Sequence, residues 1–442
     1  MNNKNILRSL LAVAASLLVL TTNSVCGADA PPLPSQEKKL FDQAEQAWEI
    51  SWSRYFRPET SLFYDYVSSK DPAKRQAHLP TVEEIKRQYP NTCGWGTGME
   101  DSAISAGVWM ATICDRYDAT GDVRMRKYAG KVWAGMALLM KVSKAPGFLP
   151  RSVCIKDRQS HYIESSRDQY THYCHGLWRF YHSPLAEEAQ RAAMRRILAD
   201  ICTRMEEFVV PGERNYSICR EDGVPGIVDK MWEVDAHEWA RLPMVYLIGW
   251  DLTGNEHWRD QYRRYAWKAA RESVKAPLSF RTPYAHQQAV FSLEPLVALE
   301  REDPNLRSAW LRAMEFYAGR MERFSWQCLD YKRLDPTGLD MDWRHRKTLT
   351  MKSGHVVPQW PDQVLREMKT VREPAEALLS QLLVPGRPFS ADQLDLLKHQ
   401  LLQTNFDGSI TYSLFYPVAT YWRAVKRGLI TCPEAAANSM KH

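Results

Sequence analysis

Asp118-Ala119-Thr120-Gly121-Asp122, followed by Arg126, and Asp251-Leu252-Thr253-Gly254-Asn255, followed by Arg259, are two copies of one turn, each flanked by apolar residues at helical spacing. In each copy the glycine stands where a helix ends in a left-handed residue, and the Asp or Asn behind it stands where the next helix takes its cap. The copies lie 133 residues apart, which predicts three helical hairpins of about 44 residues or four of about 33.

Outward from these turns the same periodicity continues. Leu40, Phe41, Ala44, Ala47 and Trp48 give the first apolar stripe. Further helices are predicted near 99–116, 124–142, 168–182, 185–208, 235–251, 256–274, 286–301, 305–322, 363–382, 391–403 and 418–429, about twelve with the first. The tight turns alternate with long connections at 53–98, 143–167, 209–234 and 323–362. Hairpins closed into a ring have this asymmetry, with one rim of simple turns and another of elaborated loops that build a cleft. No Gly/Ser or Pro linker divides the chain, so residues 31–442 are expected to form a single all-α domain.

Residues 1–30 read as a secretory signal peptide: Lys4 and Arg8, an apolar run from Leu10 to Leu20, then Ala28-Asp29-Ala30. Cleavage near Ala30 would deliver a secreted or periplasmic protein. Val25 stands where a lipobox before Cys26 needs a small residue. No later segment has the run of about 18 apolar residues that a membrane span requires, so none is expected. The leader carries two positive charges and one negative, so the chain's net +6 becomes +5 after cleavage, without a basic patch or tail. A nucleic-acid partner is therefore not expected. Eight cysteines remain without a CxxC pair, which permits at most one or two disulfides; Cys114, Cys174 and Cys202 fall in predicted helices and read as buried thiols. No nucleotide loop or organic-cofactor motif is present, and no cofactor is expected.

The chemistry concentrates in Gly147-Phe148-Leu149-Pro150-Arg151 and in Ser165-Ser166-Arg167-Asp168-Gln169-Tyr170-Thr171-His172-Tyr173-Cys174-His175-Gly176. With Ser165 or Ser166 as cap, Asp168, His172 and His175 share one helix face near its N-terminal end. Asp168 at the positive end of a helix stays ionised unless burial outweighs that field, and it is the expected principal acid/base, with Asp101 or Glu233 as partner. Glu100 and Glu164 occupy comparable loop-to-helix junctions. The bland reading of Asp168 is a first-turn residue that serves only its own backbone amides. A second chemistry uses Tyr170 with His172 or His175 for β-elimination beside a uronate carboxylate clamped by Arg151, Arg158 or Arg167. The spacing of Asp168, His172 and His175 matches no recognised metal motif, and no metal is expected.

Other clusters repeat the theme at Trp232-Glu233-Val234-Asp235-Ala236-His237-Glu238, Tyr284-Ala285-His286-Gln287-Gln288 and Ser353-Gly354-His355. Trp95, Trp232, Trp326, Trp343 and Trp360 fall in long connections, where aromatic faces suit sugar rings. Asp342-Trp343-Arg344-His345-Arg346 reads as a loop for an acidic sugar. The expected substrate contacts are Trp95, Arg151, Arg158, His175, Trp232, Tyr284, His286, Trp343, Arg344 and His355.

Three stretches carry a resemblance to a known family: Gly94-Trp95-Gly96-Thr97-Gly98-Met99-Glu100-Asp101, the Ser165–Gly176 segment, and Glu233 to Trp250 running into the second glycine turn. Together with the hairpin pattern they resemble the (α/α)6-toroid, or six-hairpin glycosidase-like, superfamily, which includes unsaturated glucuronyl hydrolases and several polysaccharide lyases. The glucuronyl hydrolases carry a Trp-x-Arg-Gly type motif, whereas Thr97 follows Trp95-Gly96 here. The resemblance implies an (α/α)6 toroid with elaborated loops on one rim and a carbohydrate substrate. The leading expectation is hydrolysis of a glycosidic bond in a uronate-containing oligosaccharide or polysaccharide. The alternatives are a β-eliminating lyase and a non-catalytic periplasmic glycan-binding protein.

Overall fold

The computed structural model describes residues 35–69, 71–276, 282–333, 340–409 and 412–433. The expected leader lies outside them. Twelve helices carry the fold: α1 Ser35–Arg54, α2 Ser102–Thr120, α3 Met125–Val142, α4 Arg167–Tyr181, α5 Glu188–Phe208, α6 Arg241–Thr253, α7 Glu256–Ser273, α8 Pro283–Leu299, α9 Pro304–Ser325, α10 over 362–383, α11 Ala391–Gln403 and α12 Phe415–Lys426.

The two kinds of helix follow from two kinds of sequence. In α7 only Trp258, Tyr262, Ala266, Ala269, Ala270 and Ser273 are buried, one stripe at spacings of three and four. In α2 every residue from Ser102 to Arg116 is buried, so this helix must be surrounded. The even-numbered helices pack side by side in the order α2, α4, α6, α8, α10, α12 and back to α2, and the odd-numbered ones stand outside. This is the (α/α)6 toroid. Strand among the described residues is confined to two short antiparallel pairs, Phe56–Arg57 with Leu62–Phe63 and Thr348–Thr350 with Val356–Pro358.

Both glycine turns form as their sequence requires. Gly121 (φ +65°) and Gly254 (φ +67°) are left-handed, and each N–H donates to a carbonyl four residues back, Tyr117 and Trp250, at 2.7 Å. The long connections lie at the other rim, beside the N-terminal ends of the inner helices. Within α10, Met368–Arg372 form a π turn that ends two residues before Pro374. Proline has no N–H and its ring crowds the carbonyl four residues earlier, and one extra residue in the turn relieves both.

Helices α2 and α4 meet backbone to backbone at Gly107 and Gly176, where a Cβ on Gly107 would lie 2.1 Å from the His172 carbonyl oxygen. Gly107→Ala is expected to cost at least about 1–3 kcal/mol, since backbone must move to admit the methyl group. Gly130→Ala in α3, whose added Cβ meets nothing within 4 Å, should hold or raise Tm when both variants are compared with the parent by calorimetry.

At the end of the ring away from the long loops, a buried charge network ties four inner helices. Arg423 pairs with Asp115 at 2.7 Å and donates to Glu294 at 3.0 Å, Arg179 donates to Asp115 at 2.7 Å, and His175 Nε2 donates to Glu294 at 2.7 Å. Cys93, Cys114, Cys154, Cys174, Cys202, Cys219 and Cys328 are buried free thiols rather than disulfides. No helix among the described residues is long and apolar enough to cross a membrane.

Candidate active site

The N-terminal ends of the inner helices gather around a cavity of about 380 Å³ lined by Trp95, Asp101, Arg151, Asp168, Val228 and Tyr284, with Arg372, Glu373 and Glu376 from α10. Helix N-termini carry partial positive charge, so their convergence favours anionic groups here.

Asp101 immediately precedes α2, and its backbone N–H and that of Glu100 donate to the buried Asp65 carboxylate at 2.9 and 3.0 Å. Its own carboxylate, 20 % exposed, accepts from Gln169 Nε2 at 2.8 Å and lies 3.6 Å from Arg151. Burial pushes Asp101 above the ordinary carboxylate range despite the opposing pull of Arg151 and Arg372. Glu100 is pushed up to about 8 by burial and by Asp101, and it turns away from the cavity to accept from the Gly96 N–H.

Asp168 sits in the first turn of α4, whose cap is Ser166. Its carboxylate is 24 % exposed; one oxygen accepts from Arg241 and the other from the Tyr284 hydroxyl at 3.3 Å. Burial would raise it, but Arg241 and Arg167 outweigh that and hold it at about 2. Arg241 is 1 % exposed, and its other arm donates to Gln288 at 2.5 Å.

Two further arginines face the cavity. Arg151 is fixed by the Glu100 and Ser165 carbonyls at 3.2 and 3.4 Å, with its guanidinium 5.4 Å from the Trp95 ring. Arg372 lies between the Tyr284 and Tyr416 rings, at 5.0 and 5.5 Å, and donates to Glu376 at 2.6 Å. Glu373 is pushed up to about 7 by burial and by Glu376.

Of the residues singled out in the sequence, Trp95, Asp101, Arg151, Asp168 and Tyr284 meet in this cavity; the others do not line it. Tyr170 is fully buried, its hydroxyl accepting from the Leu149 N–H at 3.0 Å and donating to the Gly147 carbonyl at 2.9 Å, so it shapes the loop that carries Arg151. His172 is fully buried, donates to the Asp168 carbonyl at 3.1 Å and is lowered to about 3 by burial, hence neutral. His175 belongs to the charge network below. Glu233 and Arg158 are exposed left-handed loop residues away from the cavity. Trp232 packs between Trp239 and Tyr265, both at 4.6 Å. His286 is buried and bonds the Thr282 carbonyl at 2.9 Å. Trp343 donates to the His78 carbonyl at 2.7 Å and Arg344 pairs with Glu84 and Asp342, so this loop spends its polar groups on the protein itself. His355 lies beside Trp95, 6.1 Å between ring centroids. The sequence reading missed Arg241, Arg372, Glu373 and Glu376. The visible signal for the last three was Arg372-Glu373-Pro374-Ala375-Glu376, charges and a proline running into the apolar stretch Ala377-Leu378-Leu379.

No family model and no curated protein matches this chain. Among solved structures it is similar to a sugar epimerase from a ruminal bacterium, with TM-score 0.50 and 10 % identity over 89 % of this chain and 99 % of that one. The GH76A α-1,6-mannanase from Salegentibacter sp. HEL1_6 aligns with TM-score 0.37 and 13 % identity over 78 % of this chain and 99 % of that one. The likeness to the epimerase is one of fold.

Proposed function

We propose that this chain is an exported carbohydrate-active enzyme that hydrolyses a glycosidic bond in a uronate-containing oligosaccharide or polysaccharide. The observation that carries the reading is the pairing, in one cavity, of two aspartates whose surroundings push them in opposite directions: Asp101 up by burial, and Asp168 down to about 2 because Arg241 and Arg167 overcome its burial. Carboxyl groups driven apart in this way supply the acid and the base of a glycosidase. Asp101 protonates the leaving oxygen. Asp168, held ionised by Arg241, stabilises the cationic sugar and either attacks the anomeric carbon or orients the water that does. Arg151 and Arg372 supply the charge that a uronate carboxylate needs, and Trp95 offers a face for a ring.

A second reading rests on Tyr284, whose hydroxyl faces the cavity and bonds Asp168 at 3.3 Å. A tyrosine so placed can serve a β-elimination. The deciding experiment incubates the protein with a panel of uronate-containing saccharides and follows reducing ends and near-ultraviolet absorbance together. Hydrolysis raises reducing ends alone, elimination raises both signals, and silence across the panel favours a binding protein.

The opposed aspartates also fix the pH profile. kcat/KM is expected to fall on the acid side as Asp168 is protonated, with a midpoint near its value of about 2. It should fall on the alkaline side as Asp101 gives up its proton, above the ordinary carboxylate range. A profile with its alkaline limb at an ordinary aspartate value would remove Asp101 as the acid.

A further inference from the structure

Outside the cavity, three segments distant in sequence bring a thiol, a carboxylate and an imidazole together. Cys93 Sγ, a Glu164 oxygen and a His355 ring nitrogen all lie within 4.8 Å of one another. It is the one group of three or more potential metal ligands this close among the described residues. Cys93 and Glu164 are buried, at 0 % and 1 % exposure, while the His355 side chain is 19 % exposed, so the group is enclosed on the protein side and open on one flank.

Hydrogen bonds that use none of the ligand atoms hold all three segments. Asn91 Oδ1 accepts from the Cys93 and Trp95 N–H groups at 3.2 and 2.9 Å, which sets the turn carrying the thiol. The Glu164 N–H donates to the Thr92 carbonyl at 3.1 Å, joining the carboxylate segment to that turn. Asn91 Nδ2 donates to the Val356 carbonyl at 3.0 Å and seats the loop that carries His355. The Thr92 hydroxyl lies 2.6 Å from Glu164 Oε2 and 3.0 Å from His355 Nε2, which are themselves 3.5 Å apart. Glu164 Oε1 accepts from the Ile227 N–H at 2.5 Å, which orients the carboxylate. A ligand set with its orientation fixed by neighbouring donors is how metal sites are built.

From this geometry we infer that Cys93, Glu164 and His355 form a zinc site that fastens the 340–361 loop to the wall of the cavity. Thiolate, imidazole and carboxylate together suit Zn²⁺ rather than Mg²⁺ or Ca²⁺, which take oxygen ligands. Bond lengths of about 2.0 to 2.3 Å require the three atoms to close by about 1 Å, within reach of a partly exposed histidine on a loop. Binding transfers the Cys93 proton to solvent as the S–H bond gives way to a metal–sulfur bond, and water takes the fourth position. Trp95, two residues beyond Cys93, lines the cavity, so the metal would stiffen that wall without entering the chemistry.

The test uses the full chain, freed of metal with a chelator and then titrated with Co²⁺ and, separately, Zn²⁺. One equivalent of Co²⁺ is expected to give a near-ultraviolet sulfur-to-cobalt charge-transfer band, displaced by one equivalent of Zn²⁺, and Zn²⁺ should raise Tm. Cys93→Ser should abolish the band. His355→Ala, a change at a partly exposed loop position that leaves the fold intact, should weaken Co²⁺ binding at least tenfold. Absence of the band together with an unmoved Tm, or a band that survives Cys93→Ser in folded protein, would overturn the assignment; the Thr92 hydrogen bonds would then account for the cluster alone.

Discussion

Asp168→Asn is expected to lower kcat on a cleaved substrate by about 10³-fold and to destabilise the protein by about 2–3 kcal/mol. The two losses have different origins. The first follows because an amide cannot carry the negative charge that meets the developing sugar cation. The second follows because Arg241, 1 % exposed, would keep its charge and lose its nearer carboxylate, with Glu238 left at 3.8 Å. The double variant Asp168→Asn/Arg241→Met separates them, since removing the cation along with its nearer carboxylate should recover part of the stability and none of the activity. The same pair governs acid sensitivity. Asp168 is held at about 2 in the folded protein against about 3.9 unfolded, which contributes about 2–3 kcal/mol. That contribution is present above the unfolded value and lost as pH falls through about 2. Asp168→Asn with full turnover would remove the carboxylate from the mechanism.

Asp101→Asn should also remove activity, by about 10²- to 10⁴-fold, yet it should raise Tm. Asp101 sits beside Asp65 and Glu100, and burial disfavours its charge even after Arg151 and Arg372 are counted. A carboxyl raised in the folded state costs nothing below its unfolded value and costs most above its folded value, where ionisation favours unfolding. Thermal scans should therefore separate variant from parent at pH 8 and superimpose them at pH 3. The Gln169 amide still finds an acceptor in asparagine, so no new unpaired donor is created. A lower Tm at pH 8 would contradict the electrostatic account of this residue. Activity lost with stability gained is the signature of a residue kept for chemistry.

The fold was legible because its signals are local. Apolar spacing marks each helix, and Gly121 and Gly254 can occupy left-handed turns that other residues resist. Asp168 was legible for the same reason, as a charge in the first turn of a helix behind a serine cap. His172 and His175 lie on the face that the spacing assigns, but one and two turns deeper, and a rise of about 5.4 Å per turn takes them below the cavity floor. Periodicity gives the face of a helix and not the depth at which a ring of helices closes. Arg372 and Glu376 were missed for a related reason: they lie within a continuous helix, at and just beyond a π turn, and nothing local marks the cavity they line.

Closure of the ring sets a schedule for the chain's birth. The seam lies between α2 and α12, where Trp109 and Phe415 meet with ring centroids 5.5 Å apart. Roughly three hundred residues must leave the ribosome between those two side chains, about 15 to 60 s at ordinary rates of synthesis. Through that interval the apolar flank of α2 has no neighbour on one side, because no earlier helix fills the place of α12. The nascent protein is thus an open arc with a sticky edge, and the last inner helix to be made is the one that seals it.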